Sequence, residues 1–167
     1  LHRVDRRQRQ MCIRDRKLGD AIPAVKPLDA DGATIDLAAM KGAPLVVYFY
    51  PKADTPGCTV EAQDFTRLAP EFAHLHAQVL AVSRDAPTKL GKFRDKYGLT
   101  VRLASDEDGA VCEAFGTWVE KQNYGRSYMG IERSTFLFGA DGKLAKEWRK
   151  VRVKGHAEAV LEAAKAL

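Results

Sequence analysis

A chain of 167 residues with 46% apolar content can bury one substantial core, and no stretch approaches the roughly 18 consecutive apolar residues of a membrane span. The formal net charge of +5 sits in residues 1–17, where seven basic residues accompany two acidic ones; the remaining 20 Lys/Arg and 20 Asp/Glu cancel, which excludes the basic stripe of a nucleic-acid-binding surface. Cys12, Cys58 and Cys112 show neither metal-ligand spacing nor disulfide-scaffold density, and no secretory h-region is visible, so a reducing cytoplasm is the expected compartment.

Residues 1–17 are dense in charge and lack apolar periodicity, which predicts a disordered basic arm ahead of a single domain over 18–167. The string LHRVDRRQRQMCIRDR reads as translated non-coding sequence rather than an evolved segment, and Cys12 takes no role with it. An RNA-binding or targeting arm is the alternative. From Leu18 to Lys41 the signals are strand, turn and strand, with the turn at Asp29-Ala30-Asp31-Gly32 and a short helical step from Leu37 to Met40.

Leu45 to Tyr50 is an unbroken apolar and aromatic run, the mark of a strand buried on both faces, and Pro51 ends it. Thr55-Pro56 then starts a helix: a hydroxyl at the N-cap, followed by a residue whose missing N–H is harmless at the first helical position. Phe65, Leu68, Ala69, Phe72 and Leu75 recur at helical spacing, with Pro70 expected to kink or divide the run. Gln78 to Ser83 is the next strand, completing a right-handed β-α-β unit. A helix from Pro87 to Tyr97 stops at Gly98; a strand over Thr100 to Leu103 and a helix over Gly109 to Phe115 follow. Thr135 to Phe138 and Leu144 to Val151 read as a hairpin about Ala140-Asp141-Gly142, and Gly155 to Ala166 as the last helix. A β-α-β half joined to a β-β-α half is an α/β thioredoxin-like fold, a central mixed sheet flanked by helices, here with an N-terminal β-hairpin extension.

Cys58 is the chemical focus. It falls in the first turn of the helix that starts at Thr55, where unpaired N–H groups and the positive end of the helix dipole gather and favour the thiolate, the attacking form. A helix end alone contributes only about 0.3–1 kcal/mol, so a positive side chain from elsewhere is required. Gly57 beside the sulfur leaves room for a reactant. The plain alternative is a small buried hydrophobe.

Pro51-x-x-x-Thr55-x-x-Cys58 is similar to the peroxiredoxin active-site signature, and YFYPKADTPGCTVEAQDF resembles the bacterioferritin-comigratory-protein, or PrxQ, branch of that family. A second block, Tyr124 to Phe138, resembles the segment that carries the family's active-site arginine, here Arg133. The resemblance implies a thiol-dependent peroxidase without metal, haem or flavin, with Pro51, Thr55, Cys58 and Arg133 at the site. Attack by Cys58 on a hydroperoxide O–O bond would leave a sulfenic acid. Arg133 would hold the thiolate and donate to the peroxide, Thr55 would donate to the peroxide or accept from it, backbone N–H groups of Gly57 and Cys58 would complete the cradle, and Pro51 would shield the sulfur. Glu61, one turn on, can accept from nearby backbone or pair with a base. Taken singly, Arg133 reads as a solvated charge and Thr55 as a cap; His74-x-His76 reads as surface, and Trp118, Tyr124 and Tyr128 as core or rim.

Relatives carry a resolving cysteine five positions after the first or in the following helix. Here the first position is Gln63, and Pro87 to Tyr97 has no cysteine. Thioredoxin, glutaredoxin or a small thiol would then reduce Cys58 directly, unless Cys112 resolves it or two chains cross-link; Cys112 reads better as a buried structural thiol. The chain is expected as a monomer or weak dimer. The rival activities are a thiol–disulfide oxidoreductase, disfavoured by the absence of Cys-x-x-Cys, and a peroxide sensor or holdase.

Overall fold

The computed structural model describes residues 18–167, so the expected N-terminal arm and Cys12 lie outside the described residues. Six strands form the main sheet: β1 (Leu28–Asp29), β2 (Leu45–Phe49), β3 (Gln78–Ser83), β4 (Arg102–Ser105), β7 (Ser134–Phe138) and β8 (Leu144–Trp148), in the order β1-β4-β3-β2-β7-β8. The pairs β2–β3 and β3–β4 are parallel, while β7 runs antiparallel to both β2 and β8. A separate hairpin joins β5 (Trp118–Asn123) to β6 (Arg126–Ile131). The helices are α1 (Pro56–Arg67), α2 (Ala69–His74), α3 (Pro87–Tyr97), α4 (Ala110–Phe115) and α5 (His156–Lys165), with a 3-10 turn at Leu37–Met40.

Every residue of β2 is buried, so its alternation decides which side of the sheet each side chain serves. Val46, Tyr48 and Tyr50 join a core with Phe65, Phe72, Phe93 and Val160 from α1, α2, α3 and α5. Leu45, Val47 and Phe49 join a second core with Phe115, Phe136 and Phe138. Cys58 belongs to the first core and Cys112 to the second. The sheet stands between the two sulfurs.

Most expected elements are present. Pro70 does divide the helical run, with Leu68 (φ −90°, ψ 0°) between α1 and α2. Gly98 ends α3 in the left-handed conformation that glycine adopts at least cost. The N-terminal hairpin is slight. Leu28 bridges Thr34 across a turn in which Asp29 Oδ1 accepts from the N–H groups of Asp31 and Ala33, while β1 spends its ladder on β4. β4 begins two residues later than expected, because Leu99 and Val101 are buried on the approach and the ladder to β3 opens only at Arg102, opposite Leu80.

The β5–β6 hairpin is the element the sequence did not reveal. Both of its faces are largely exposed, so no apolar alternation advertises it. The available signal was the two-residue turn Tyr124-Gly125, with φ of 53° and 76°, the paired positive values of a tight hairpin turn.

Candidate active site

β2 delivers the chain to the site. Tyr50 N–H still bonds to Val82 O; the loop then turns, and α1 opens with Pro56 at its first position. Thr55 has the extended backbone of an N-cap (φ −101°, ψ 155°), and its carbonyl accepts the first helical bond, from Thr59 N–H at 2.9 Å. Its hydroxyl does not cap the helix as expected. It donates backwards to Lys52 O at 2.8 Å, a bond that closes the preceding loop instead.

Cys58, the third residue of α1, is only 2% exposed. Arg133, from the segment joining β6 to β7, donates through Nη2 to Cys58 Sγ at 3.3 Å and through Nη1 to Glu61 Oε1 at 2.6 Å. Cys58 and Glu61 lie three residues apart and so share a helix face, which lets one planar fork reach both. Its carbonyl is fixed as well, by Val151 N–H at 2.9 Å. The Arg133 side chain is 17% exposed, far from the solvated charge its place before a strand suggests. Gly57 matters for a different reason than expected. A Cβ there would stand 3.3 Å from Arg133 Nη2, so the space that glycine leaves is taken by the guanidinium.

Burial pushes the Glu61 carboxyl up to about 7, in spite of the neighbouring Arg133. Its Oε2 finds no hydrogen-bond partner among the described residues. Burial works against the Arg133 charge, but Glu61 and Cys58 outweigh it and hold the guanidinium protonated. Behind the site, His156 Nε2 and Thr135 Oγ1 lie 2.7 Å apart, and burial, helped by Arg133, takes the imidazole down to about 4. Lys121 of β5 feels both Arg133 and Cys58; burial lowers it, and Arg133 lowers it further. Neither Lys121 nor His156 was singled out from the sequence. Lys121 sits in the hairpin that pattern reading overlooked, and His156 opens α5 with no motif around it.

Cys58, Arg133, Glu61 and Gly57 are therefore in one place, with Thr55 at the adjoining helix start. Pro51 is exposed at the end of β2 and Gln63 is exposed on α1. The structure does not bring Cys112 to the site. It is fully buried in the other core, where burial, followed by the nearby Asp106 carboxylate, drives its thiol upward. His74 and His76 are exposed as expected, and no group of residues that could hold a metal ion occurs among the described residues. Tyr124 is 95% exposed, with Trp118 and Tyr128 partly so.

The AhpC/TSA family model matches residues 18–147. The chain is a peroxiredoxin of the AhpC/TSA family. It is 45% identical over 149 residues to peroxiredoxin Bcp of Bacillus subtilis, covering 89% of this chain and 95% of that one. With peroxiredoxin Bcp of Xanthomonas campestris it shares 50% over 141 residues, covering 84% and 88% respectively. Among solved structures, X. campestris bacterioferritin comigratory protein, studied for alkyl peroxide reduction in trapped intermediate and ligand complexes, superposes with a TM-score of 0.83. It is 45% identical, over 88% of this peroxiredoxin and 98% of that chain. A PrxQ variant from Xylella fastidiosa gives a TM-score of 0.86 at 38% identity, over 91% and 97%. The peroxiredoxin is a thiol-dependent peroxidase on a thioredoxin-like fold.

Proposed function

We propose that Cys58 is the peroxidatic nucleophile and that Arg133 is the cation that keeps it anionic and in place. The Cys58 thiolate attacks one peroxide oxygen, the O–O bond breaks, the departing oxygen takes up a proton as water or alcohol, and Cys58 becomes a sulfenic acid. Negative charge moves from sulfur to the leaving oxygen during this step, and donors fixed along that path stabilise the transition state more than the ground state. Arg133 Nη2 stands 3.3 Å from Sγ, and this contact is the observation that carries the reading. The Thr55 hydroxyl hydrogen is committed to Lys52 O, so its free lone pair serves as an acceptor for the peroxide O–H. The N–H groups of Gly57 and Cys58 precede the first helical bond and face no i−4 carbonyl, which leaves them to the substrate. Glu61 orients Arg133 through the other terminal nitrogen, Nη1.

Hydrogen peroxide and organic hydroperoxides are the substrates. Gln63 stands where relatives resolve, and Cys112 lies across the sheet, so an external thiol (thioredoxin, glutaredoxin or a small thiol) returns Cys58 to its reduced form. A reducing cytoplasm suits that chemistry; among the described residues, no helix is long and apolar enough to cross a membrane. The test is Cys58→Ser, assayed for peroxide consumption with dithiothreitol. Activity should fall to background, and a wild-type rate would refute the assignment. Many peroxides consumed per chain would separate an enzyme from a sensor, which consumes about one.

A further inference from the structure

The loop over residues 50–55 decides where Thr55 stands and where α1 begins, and it is held from outside at two consecutive residues. Ala53 N–H donates to Asp85 Oδ2 at 2.8 Å, and Asp85 is fixed by Ser83 Oγ at 2.9 Å and by Lys89 of α3 at 3.1 Å. Asp54, the next residue, has φ 61°, a left-handed conformation uncommon for residues other than glycine, although aspartate tolerates it better than most. Its carboxylate accepts from Tyr97 Oη at 2.5 Å and from Lys96 Nζ at 2.9 Å, both on the last turn of α3. These bonds hold the Asp54 carboxyl below its ordinary range. Tyr97 is itself braced, edge-on against the buried Phe93, whose ring lies 6.2 Å from Tyr50 at the start of the loop.

The proposed recycling gives this tether a consequence. Cys58 is 2% exposed, and a reducing thiol, whose sulfur is larger than a peroxide oxygen, needs more room around the first turn of α1 to come in line with the S–O bond of a sulfenic acid.

We propose that Asp54 is a positioning residue: held by Tyr97 and Lys96, it latches the loop to α3, which favours peroxide attack on Cys58 and slows access of the reducing thiol to the oxidised sulfur. The inference rests on Cys58 being the peroxidatic residue. An exposed ion pair of this kind adds little to global stability, so the latch acts on the two half-reactions rather than on the fold.

The experiment follows both half-reactions by rapid-quench mass spectrometry in wild type, Asp54→Asn, Lys96→Met and Tyr97→Phe. In the first, the Cys58 thiolate, hydrogen peroxide and one proton give sulfenic acid and water. In the second, sulfenic acid and dithiothreitol give the thiol, the cyclic disulfide and water. Asp54→Asn should slow the first about twofold and speed the second about twofold, the scale an exposed pair can supply. The two α3 variants should move each rate in the same direction by less. Wild-type rates in both half-reactions, or both rates moving together, would overturn the latch. Should Asp54→Asn fail to fold, Lys96→Met at an exposed position and Tyr97→Phe, which keeps the half-buried ring, carry the same test. Sulfenic acid formed in Cys58→Ser would instead overturn the underlying assignment.

Discussion

Cys58 and Cys112 occupy equivalent positions, each the third residue of its helix and each almost fully removed from solvent at 2% and 0% exposure. Both lie within the first turn, where helix-end donors gather. Their neighbours differ in sign. Beside Cys58 stands the Arg133 guanidinium, 3.3 Å from sulfur. Beside Cys112 stands the Asp106 carboxylate, which accepts from the N–H groups of Val111 and Cys112 at 2.9 and 2.8 Å. The same carboxylate that satisfies the start of α4 consumes its donors and opposes a thiolate there. Helix position and burial are common to both sites, so under the proposed assignment the charge brought up to each sulfur is what separates the nucleophile from a structural thiol.

The most direct way to break the comparison is to remove the cation. Arg133→Ala should lower kcat/KM for hydrogen peroxide by about 10²–10³-fold, the range for losing one transition-state donor in a closed site. A stopped-flow rate within twofold of wild type would mean that the guanidinium is incidental. Arg133→Lys should recover only part of the loss, because an ammonium cannot span Sγ and Glu61 Oε1 as a planar fork does.

Crowding the guanidinium should have a smaller effect. Gly57→Ala puts a methyl group about 3.3 Å from Nη2 and should slow oxidation about tenfold through displacement of Arg133, with little change in melting temperature. On the other side of the sheet, Asp106→Asn replaces one of the two acceptors at the start of α4 with a donor. It should destabilise the fold by about 1–3 kcal/mol in chemical denaturation and leave peroxidase activity intact. Activity lost in proportion to stability would tie the two sites together.

The smallest effect expected is on the pH dependence of stability. Glu61 is raised to about 7, so its contribution is complete below about 4.5 and is lost as pH rises through 7. His156 is lowered to about 4, so its contribution is complete above about 6.5 and is lost as pH falls through 4. The two oppose each other over nearly the same interval. Glu61→Gln should therefore expose a rise in stability from pH 4 to 6.5 that wild type conceals, measured as the denaturation midpoint against pH. An unchanged profile would remove Glu61 from this balance.

Much of this was readable in the amino-acid order. The Leu45–Tyr50 run, the Thr55-Pro56 start and the Pro70 break are local signals, because burial on both faces and proline geometry act over a few residues. The meeting of Arg133 with Cys58 is set by the pairing of β7 with β2, a long-range event with no local signature, and only the family resemblance of the Tyr124–Phe138 block pointed to it. The hydroxyl of Thr55 and the space beside Gly57 were assigned the right neighbourhood but other tasks, since the direction of a hydrogen bond and the occupant of a gap depend on packing. The β5–β6 hairpin, exposed on both faces, left almost no trace in hydrophobic pattern.

The central claim is that the cation beside Cys58 makes it, rather than Cys112, the sulfur that peroxide oxidises. Treating the protein with one equivalent of hydrogen peroxide in the presence of dimedone, followed by peptide mass spectrometry, tests it directly. The adduct should sit on Cys58 alone, with Cys112 reduced and unlabelled. Label on Cys112, or a Cys58–Cys112 disulfide in its place, would contradict the account.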